Sequence, residues 1–366
     1  MSSSTQVSSS PSAEIVNIDR WMDNYGKHIN AHGGGVMIHD SVYYLFGEHK
    51  IAGNAGNVAH IGVHCYRSTD LVHWTDLGIA LAVSDDPASD ITRECVIERP
   101  KVIYNALTRR FVMWFHLELK GQGYLAARTA VAIAERPEGP YVFQDSFRPL
   151  PGIPPMIGGD EVPDRIWRRD LDGGQMSRDM TLFVDDDGTA YHIAAAEENE
   201  TLHVRELTLD YTACSGRWAR VLPGKSNEAP ALVKHAGRYW MISSGCTGWA
   251  PNPARSAVAD HPFGPWTELG NPARGCNEVL GCDEDVTFGG QGTCIIPVQG
   301  RAGAYVAMFD VWRPHDQEDS RYFMLPMCFQ EGHFTVPWLR RWTFDFFNRS
   351  SESGKGPRDE TAERCG

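Results

Sequence analysis

"SRDMTLFVDDDGTAYHIAAAEE", residues 177–198, carries the pattern that decides the fold. A polar residue, Asp179, heads a short apolar run. A turn, Asp185-Asp186-Asp187-Gly188, follows it, and then an aromatic and alternating run begins at Thr189. Two β-branched or aromatic runs joined by an Asp/Gly turn read as a hairpin. The same order occurs four more times: "HGGGVMI" before "VYYLFGE", "ERPKVIY" before "RFVMWFH", "NEAPALV" before "RYWMISSGC", and "GQGTCII" before "AYVAMFDVW". Most of the second runs are preceded by turn residues such as "HDS", "NALTR" and "HAG".

The spacing makes the polar heads equivalent. His32 to Tyr43, Asp179 to Ala190 and Glu228 to Tyr239 are each 11 residues, Glu98 to Phe111 is 13 and Gln291 to Tyr305 is 14. Further strand signals follow the hairpins in "HCYRSTDLVHWTDLG", "TAVAIAERPEGPYVF", "LHVRELTLDYTACSG" and "SAVADHPFGPWTELG". A repeated unit of about four antiparallel strands, without a helical period, predicts a β-propeller. The expected architecture is an all-β, single-domain propeller of five blades over residues 14–348, with unstructured ends at 1–13 and 349–366.

In a propeller the first strand of each blade lines the axis. His32, Glu98, Asp179, Glu228 and Gln291 then form a ring at one end. A polar residue at a strand start is often only a turn former. Three carboxylates at matching places in successive repeats favour a shared pocket instead. Crowded acids repel, so at least one has a raised pKa, and acids pushed apart in pKa suit general acid–base work. A pair of carboxylates across a glycosidic bond is the usual apparatus of glycoside hydrolysis. Tyr44, Tyr124, Trp249 and Trp312 are candidates for stacking on sugar, against the alternative that they are core.

Composition narrows the partners. The chain has 366 residues and a formal net charge of −13, which argues against nucleic acid, whose phosphates need a basic surface. No apolar run reaches the length of a membrane span. The first residues, "MSSSTQVSSSPSAEIV", lack a basic region and an apolar core, so a cytoplasmic protein is expected, or a secreted or periplasmic one whose leader was removed. Nine cysteines include no CxxC pair. Cys276 and Cys282 are close enough in sequence to bridge in an oxidising compartment; the alternative is buried free thiols. No HExxH or P-loop is present, "GQGYLA" from Gly121 lacks the helix a dinucleotide site needs, and "DDDG" lacks EF-hand spacing. No cofactor is therefore expected. Two sequons, at Asn199 and Asn348, matter only in a secreted chain. Residues 144–175 are rich in Pro and Gly and are expected to be a loop bordering the pocket. No motif speaks to oligomeric state.

With these residues in view, the sequence resembles glycoside hydrolase family 43 from about Asn30 to Phe347. "AHGGG", "YYLFGEH", "ERPKVIYN", "SRDMTLFVDDDG", "NEAPAL" and "SGCTGWAPN" are similar to the branch of exo-β-1,3-galactanases and related enzymes of arabinogalactan side chains. The resemblance implies that Glu228 is the general acid and that Asp179 holds the acid's pKa and contacts the terminal sugar. Most of the family has an Asp base on the first blade, where this chain has "HGGG". In the galactanase-like branch a Gln on the fifth blade holds the attacking water, and Gln291 matches it. Glu98 and Glu48 match sugar-binding carboxylates; Tyr124 and Thr247 match further contacts. A neutral amide orients water but takes no proton at ordinary pH. Gln291 as positioner and Glu98 as base therefore both stay open. So do three functions: a galactose-releasing inverting exo-hydrolase, an α-L-arabinofuranosidase or β-galactofuranosidase, and a carbohydrate-binding propeller without catalysis. A metal on the axis occurs in part of the family, but no ligand cluster beyond histidines is evident here.

Overall fold

A computed structural model describes residues 13–53 and 55–348. The end segments expected to be unstructured, apart from Ala13, lie outside the described residues. Four antiparallel four-stranded sheets follow one another over residues 32–82, 96–147, 180–221 and 227–270. A three-stranded sheet, Gln291–Pro297, Tyr305–Val311 and Arg321–Pro326, comes next. The chain is thus an all-β propeller in a single domain.

The expected number of blades is corrected from five to six. Cys328–Gln330 and His333–Pro337 form a hairpin, and His333–Pro337 also pairs in parallel with Ala273–Arg274. These strands are short and are not followed by the further strands of the repeated unit, so the repeat does not announce them. They pack beside the fourth and fifth sheets, where Phe334 and Val336 join Trp240, Val258 and Phe309. The ring of axial strands has five members. His32–His39, Val96–Asn105, Met180–Val184, Asn227–His235 and Gln291–Pro297 contact one another in cyclic order.

The alternation of the strands explains the core. Successive side chains point to opposite faces, and each sheet is covered on both. Leu45 packs toward the fifth sheet with Met308, while its neighbour Phe46 packs toward the second with Phe115. Trp114 meets Ala194 of the third sheet, Met241 meets Tyr191, and Trp240 meets Phe309. The strands therefore read as nearly continuous apolar runs. Tyr44 belongs to the edge of the interface between the first two sheets and does not reach the pocket, so the expectation of a stacking platform there is corrected.

The ends close the ring. Glu14–Val16 pairs antiparallel with Arg341–Thr343. Ile18 N–H donates to Tyr322 O at 3.0 Å, and the Asn17 amide donates to Met324 O and Leu339 O at 3.0 and 2.7 Å. The N-terminal segment thus lies along the outer strand of the fifth sheet.

Candidate active site

The heads of the axial strands surround a cavity of about 340 Å³. Glu98, Asp179, Glu228 and Gln291 line it, together with Glu48, Tyr124, Trp249 and Trp312. A β-bulge follows the head in four of the five strands, between His32 and Gly35, Glu98 and Lys101, Glu228 and Ala231, and Gly292 and Cys294. The residue after the head takes a positive φ in three of them: Gly33 at 60°, Arg99 at 55° and Ala229 at 48°. A bulge with a left-handed residue kinks the strand and re-aims a side chain.

The glycines after His32 have a steric cause. A Cβ at Gly33 would lie 2.3 Å from Glu48 Oε1, at Gly34 2.0 Å from Phe46 O, and at Gly35 2.4 Å from Lys101 Cδ. Only hydrogen fits between this strand, its partner and the Lys101 stem crossing the axis. His32 itself does not meet the pocket. It is fully buried, stacked on Tyr322 at 5.1 Å with its ring 6.1 Å from Trp312. Trp312 lines the cavity instead; of the two roles open to His32, touching sugar or filling the floor, its full burial fits the floor. Thr247 is corrected too. Its hydroxyl donates to Ala250 O at 2.6 Å and holds a turn, while Gly248 and Trp249 reach the pocket.

Arg99, which the repeat pattern does not single out, organises the centre. Its Nη2 lies 3.0 Å from Asp179 Oδ2 and donates to Gln291 Oε1 at 2.6 Å. Its backbone N–H donates to Glu48 Oε1 at 3.1 Å, and its guanidinium sits 5.7 Å from the Trp312 ring centroid. Gln291 is held on both ends. Its Oε1 also accepts from Trp312 Nε1 at 3.0 Å, and its Nε2 donates to Ser244 Oγ at 3.0 Å. One amide N–H is left for the cavity.

The acids differ sharply in proton affinity. Burial, then the Asp179 charge, pushes Glu228 up to about 7 against the pull of Arg99. Asn199 Nδ2 donates to Glu228 Oε1 at 2.9 Å. Burial would raise Glu98 as well. The hydrogen bond and charge of His116, with a bond from Tyr124, bring it down to about 2 instead. Tyr124 Oη donates to Glu98 Oε1 at 2.5 Å and Asn57 Nδ2 donates to it at 2.7 Å. His116 is clamped between Glu98 and Glu118, 2.9 Å from each. Burial lowers it, but the two carboxylates hold it at about 9. Glu48 is fully buried with Lys50 Nζ 2.6 Å away; burial raises its carboxyl and Lys50 opposes this.

Glu98, His116 and Asp179 bring one ligand atom each within 4.8 Å, the spacing of a metal site. The donor set does not fit one. Both His116 nitrogens are spent on carboxylates and the ring holds its proton at neutral pH, so it offers no lone pair.

Arg99, His116, Arg178 and Asn199 also line the pocket, and sequence reasoning misses all four as site residues. For Arg99 a signal exists, since it directly follows Glu98. Asn199 stands out in the sequence only as a sequon; its amide donates to Glu228. The 144–175 segment contributes no lining residue itself but is joined to residues beside the lining: Arg148 donates to Leu125 O next to Tyr124 at 2.9 Å, and Arg169 to Glu198 next to Asn199 at 3.1 Å. Its middle is pinned to the outer strand of the third sheet, where Met156 N–H donates to Trp218 O at 2.9 Å. Cys276 and Cys282 do not bridge. Their strands pair Cys276 with Asp283 and Asn277 with Cys282, one register apart, and Cys282 is a free thiol. No helix among the described residues is long and apolar enough to cross a membrane.

The geometry agrees with known proteins. The model of glycosyl hydrolases family 43 matches residues 35–301. A GH43 β-1,3-galactosidase solved with galactodeoxynojirimycin is 47% identical, with a TM-score of 0.84 over 90% of this chain and 100% of that one. The exo-β-1,3-galactanase 1,3Gal43A of Clostridium thermocellum is 38% identical, TM-score 0.76, over 90% of this chain and 66% of that one. An exo-β-1,3-galactanase of Phanerochaete chrysosporium, solved with β-1,3-galactotriose, is 32% identical, TM-score 0.76, over 90% and 68%. No curated protein sequence gave a match. The chain belongs to glycosyl hydrolases family 43 and is a glycosidase.

Proposed function

We propose that this enzyme is an exo-acting, inverting hydrolase that removes terminal galactose-type residues from β-1,3-galactan or arabinogalactan side chains. One observation carries the mechanism: Glu228 keeps a proton near neutral pH in the same cavity as the half-engaged Gln291 amide. Glu228 protonates the departing glycosidic oxygen. Gln291 donates its remaining N–H to the attacking water and so fixes its place. Glu98 is a poor base, because three donors engage its carboxylate and hold it at about 2, while Oε2 keeps room to accept a further donor. Its role is to bind sugar hydroxyls as an acceptor, as is that of Asp179. With no strong base present, the reaction leans on acid assistance and an oxocarbenium-like transition state; water adds to the anomeric carbon as the glycosidic C–O bond breaks, the protonated hydroxyl so formed gives its proton to solvent, and Glu228 regains its proton from solvent.

The sugar is inferred from relatives whose names specify β-1,3-galactosidase or galactanase action. A cavity of about 340 Å³ suits a terminal unit, with Tyr124 and Trp249, 41% and 40% exposed, at its rim. We further read the five axial strands as the functional blades and the sixth sheet as an outer brace. Shortening the 328–337 hairpin should then lower the melting temperature and leave KM in place; a changed KM would count against it.

The function is tested with β-1,3-galactobiose, β-1,3-galactan and nitrophenyl β-galactosides, α-L-arabinofuranosides and β-galactofuranosides. Galactose should appear first as the α-anomer by NMR. Release of a furanose instead would overturn the substrate. Binding of oligosaccharide without any hydrolysis would overturn the reaction.

A further inference from the structure

Behind the pocket, the third sheet holds a buried ionic group that the reaction does not use. Glu197 is 1% exposed and accepts from Arg220 Nε and Nη2 at 2.6 and 2.8 Å. Its Oε1 also lies 2.7 Å from His203 Nε2. Burial raises the Glu197 carboxyl, but His203 and Arg220 bring it down to about 2, so it is ionised throughout the working range. Arg220 spends its other donor capacity on the 144–175 segment, giving Nη1 to Glu161 O at 2.8 Å and Nη2 to Pro163 O.

Glu197 begins the turn joining Ala190–Ala196 to Thr201–Leu207. Glu197, Glu198 and Asn199 all take positive φ, 54°, 57° and 67°. Three consecutive non-glycine residues in that region are costly and persist only when their surroundings hold them. The turn runs through Glu200 and presents Asn199, whose amide meets Glu228. Ser226 N–H, two residues before the acid, donates to Glu200 O at 3.0 Å, so turn and acid strand are joined twice.

We propose that the Arg220–Glu197 pair is a positioning device for the general acid: it locks the left-handed 197–199 turn so that Asn199 holds the Glu228 carboxyl in line with the leaving oxygen. The 144–175 segment is fastened to this device through Arg220. Glu228 also faces Asp179, Glu98, Arg99 and the Cys246 thiol, and Glu197 faces His203 and Arg205 beyond Arg220. The proposal rests on Glu228 being the acid.

The test compares Glu197→Gln, Arg220→Lys and Asn199→Ala with Glu228→Gln as reference. Each is assayed on a disaccharide and on a dinitrophenyl glycoside of the sugar that the substrate panel identifies. A good leaving group departs without a proton, so a misplaced acid should cost about tenfold or more in kcat on the disaccharide and little on the dinitrophenyl substrate. KM should hold. Losing the Asn199 donor destabilises the ionised carboxylate. The basic limb of kcat/KM should therefore move up by about one pH unit in Asn199→Ala, and in the same direction in Glu197→Gln. The Glu197→Gln/Asn199→Ala double variant should be no worse than the poorer single one. Equal losses on both substrates, an unmoved limb, or additive effects would overturn the proposal. If Glu197→Gln does not fold, Asn199→Ala and Arg220→Lys decide by the same readouts. If Glu228→Gln keeps full disaccharide activity, the acid assignment fails; if it is impaired and the other variants are normal, only the positioning role fails.

Discussion

Replacing Asp179 by Asn should move the basic limb of the pH profile toward acid, and the structure gives its size. Glu228 titrates near 7 rather than at its ordinary 4.5, with burial as the largest cause and the Asp179 charge as the next. Burial survives the substitution; the charge does not. Removing it lowers Glu228 by about one pH unit. Arg99, 3.0 Å from Asp179, then loses its nearest anion and pulls in the same direction. The acid works only while protonated. At pH 7 the protonated share falls from about one half to about one tenth, a roughly fivefold loss in kcat/KM from ionisation alone. At pH 5 both forms are largely protonated, and this part of the loss disappears. Weaker sugar binding in Asp179→Asn depresses the rates at the two pH values alike. The ratio of kcat/KM at pH 5 to that at pH 7 therefore isolates the electrostatic part. The assay is hydrolysis of β-1,3-galactobiose between pH 4 and 9, with folding checked by circular dichroism. A limb that stays put, or moves to higher pH, refutes the claim that Asp179 holds the acid's proton.

Other consequences are as concrete. Gln291→Glu should keep Arg99 and Trp312 as donors to one oxygen, while its other oxygen accepts from the attacking water to which the amide had donated; activity should fall less than about tenfold, whereas Gln291→Ala, which leaves the water unheld and Arg99 and Trp312 without an acceptor, should lose about 100-fold or more. Initial rates on galactobiose rank the two. Gly34→Ala drives a Cβ to 2.0 Å from Phe46 O and should cost about 1–3 kcal/mol in a urea unfolding curve; an unchanged midpoint would remove the steric account of these glycines. His116 holds its proton to about 9 in the fold against 6.5 outside it, so the pair with its carboxylates stabilises fully below pH 6.5 and loses this as pH rises toward 9. The loss is up to about 3 kcal/mol, counted once for the cluster, and His116→Gln should flatten the decline in stability between those pH values.

Much of this site was legible in the chain because a propeller turns linear equivalence into spatial convergence. Glu98, Asp179, Glu228 and Gln291 stand at matching distances before their partner strands, and that spacing alone gathers them around one cavity. His32 shows where the logic stops. It occupies the same place in its repeat, yet side-chain direction after a bulge depends on neighbours from other sheets, here Tyr322 and Trp312. Asn199 shows the converse. Nothing in "EENET" marks a contact with Glu228 of the next sheet, because the turn that presents Asn199 packs against Arg220, 21 residues further along.

The sequence by itself determined the repeat, the order of strands and the identity of the four polar heads, since these follow from alternation, turn chemistry and spacing along one chain. Only the tertiary structure decided how the chemistry is divided among them. Glu98 and Glu228 are the same residue type at equivalent positions. One binds its proton only below about 2 and the other holds it to about 7, because His116 and Tyr124 reach the first, whereas burial and the Asp179 charge act on the second. Proton affinity is set by distance and solvent exposure in three dimensions, and neither is written in the order of the residues.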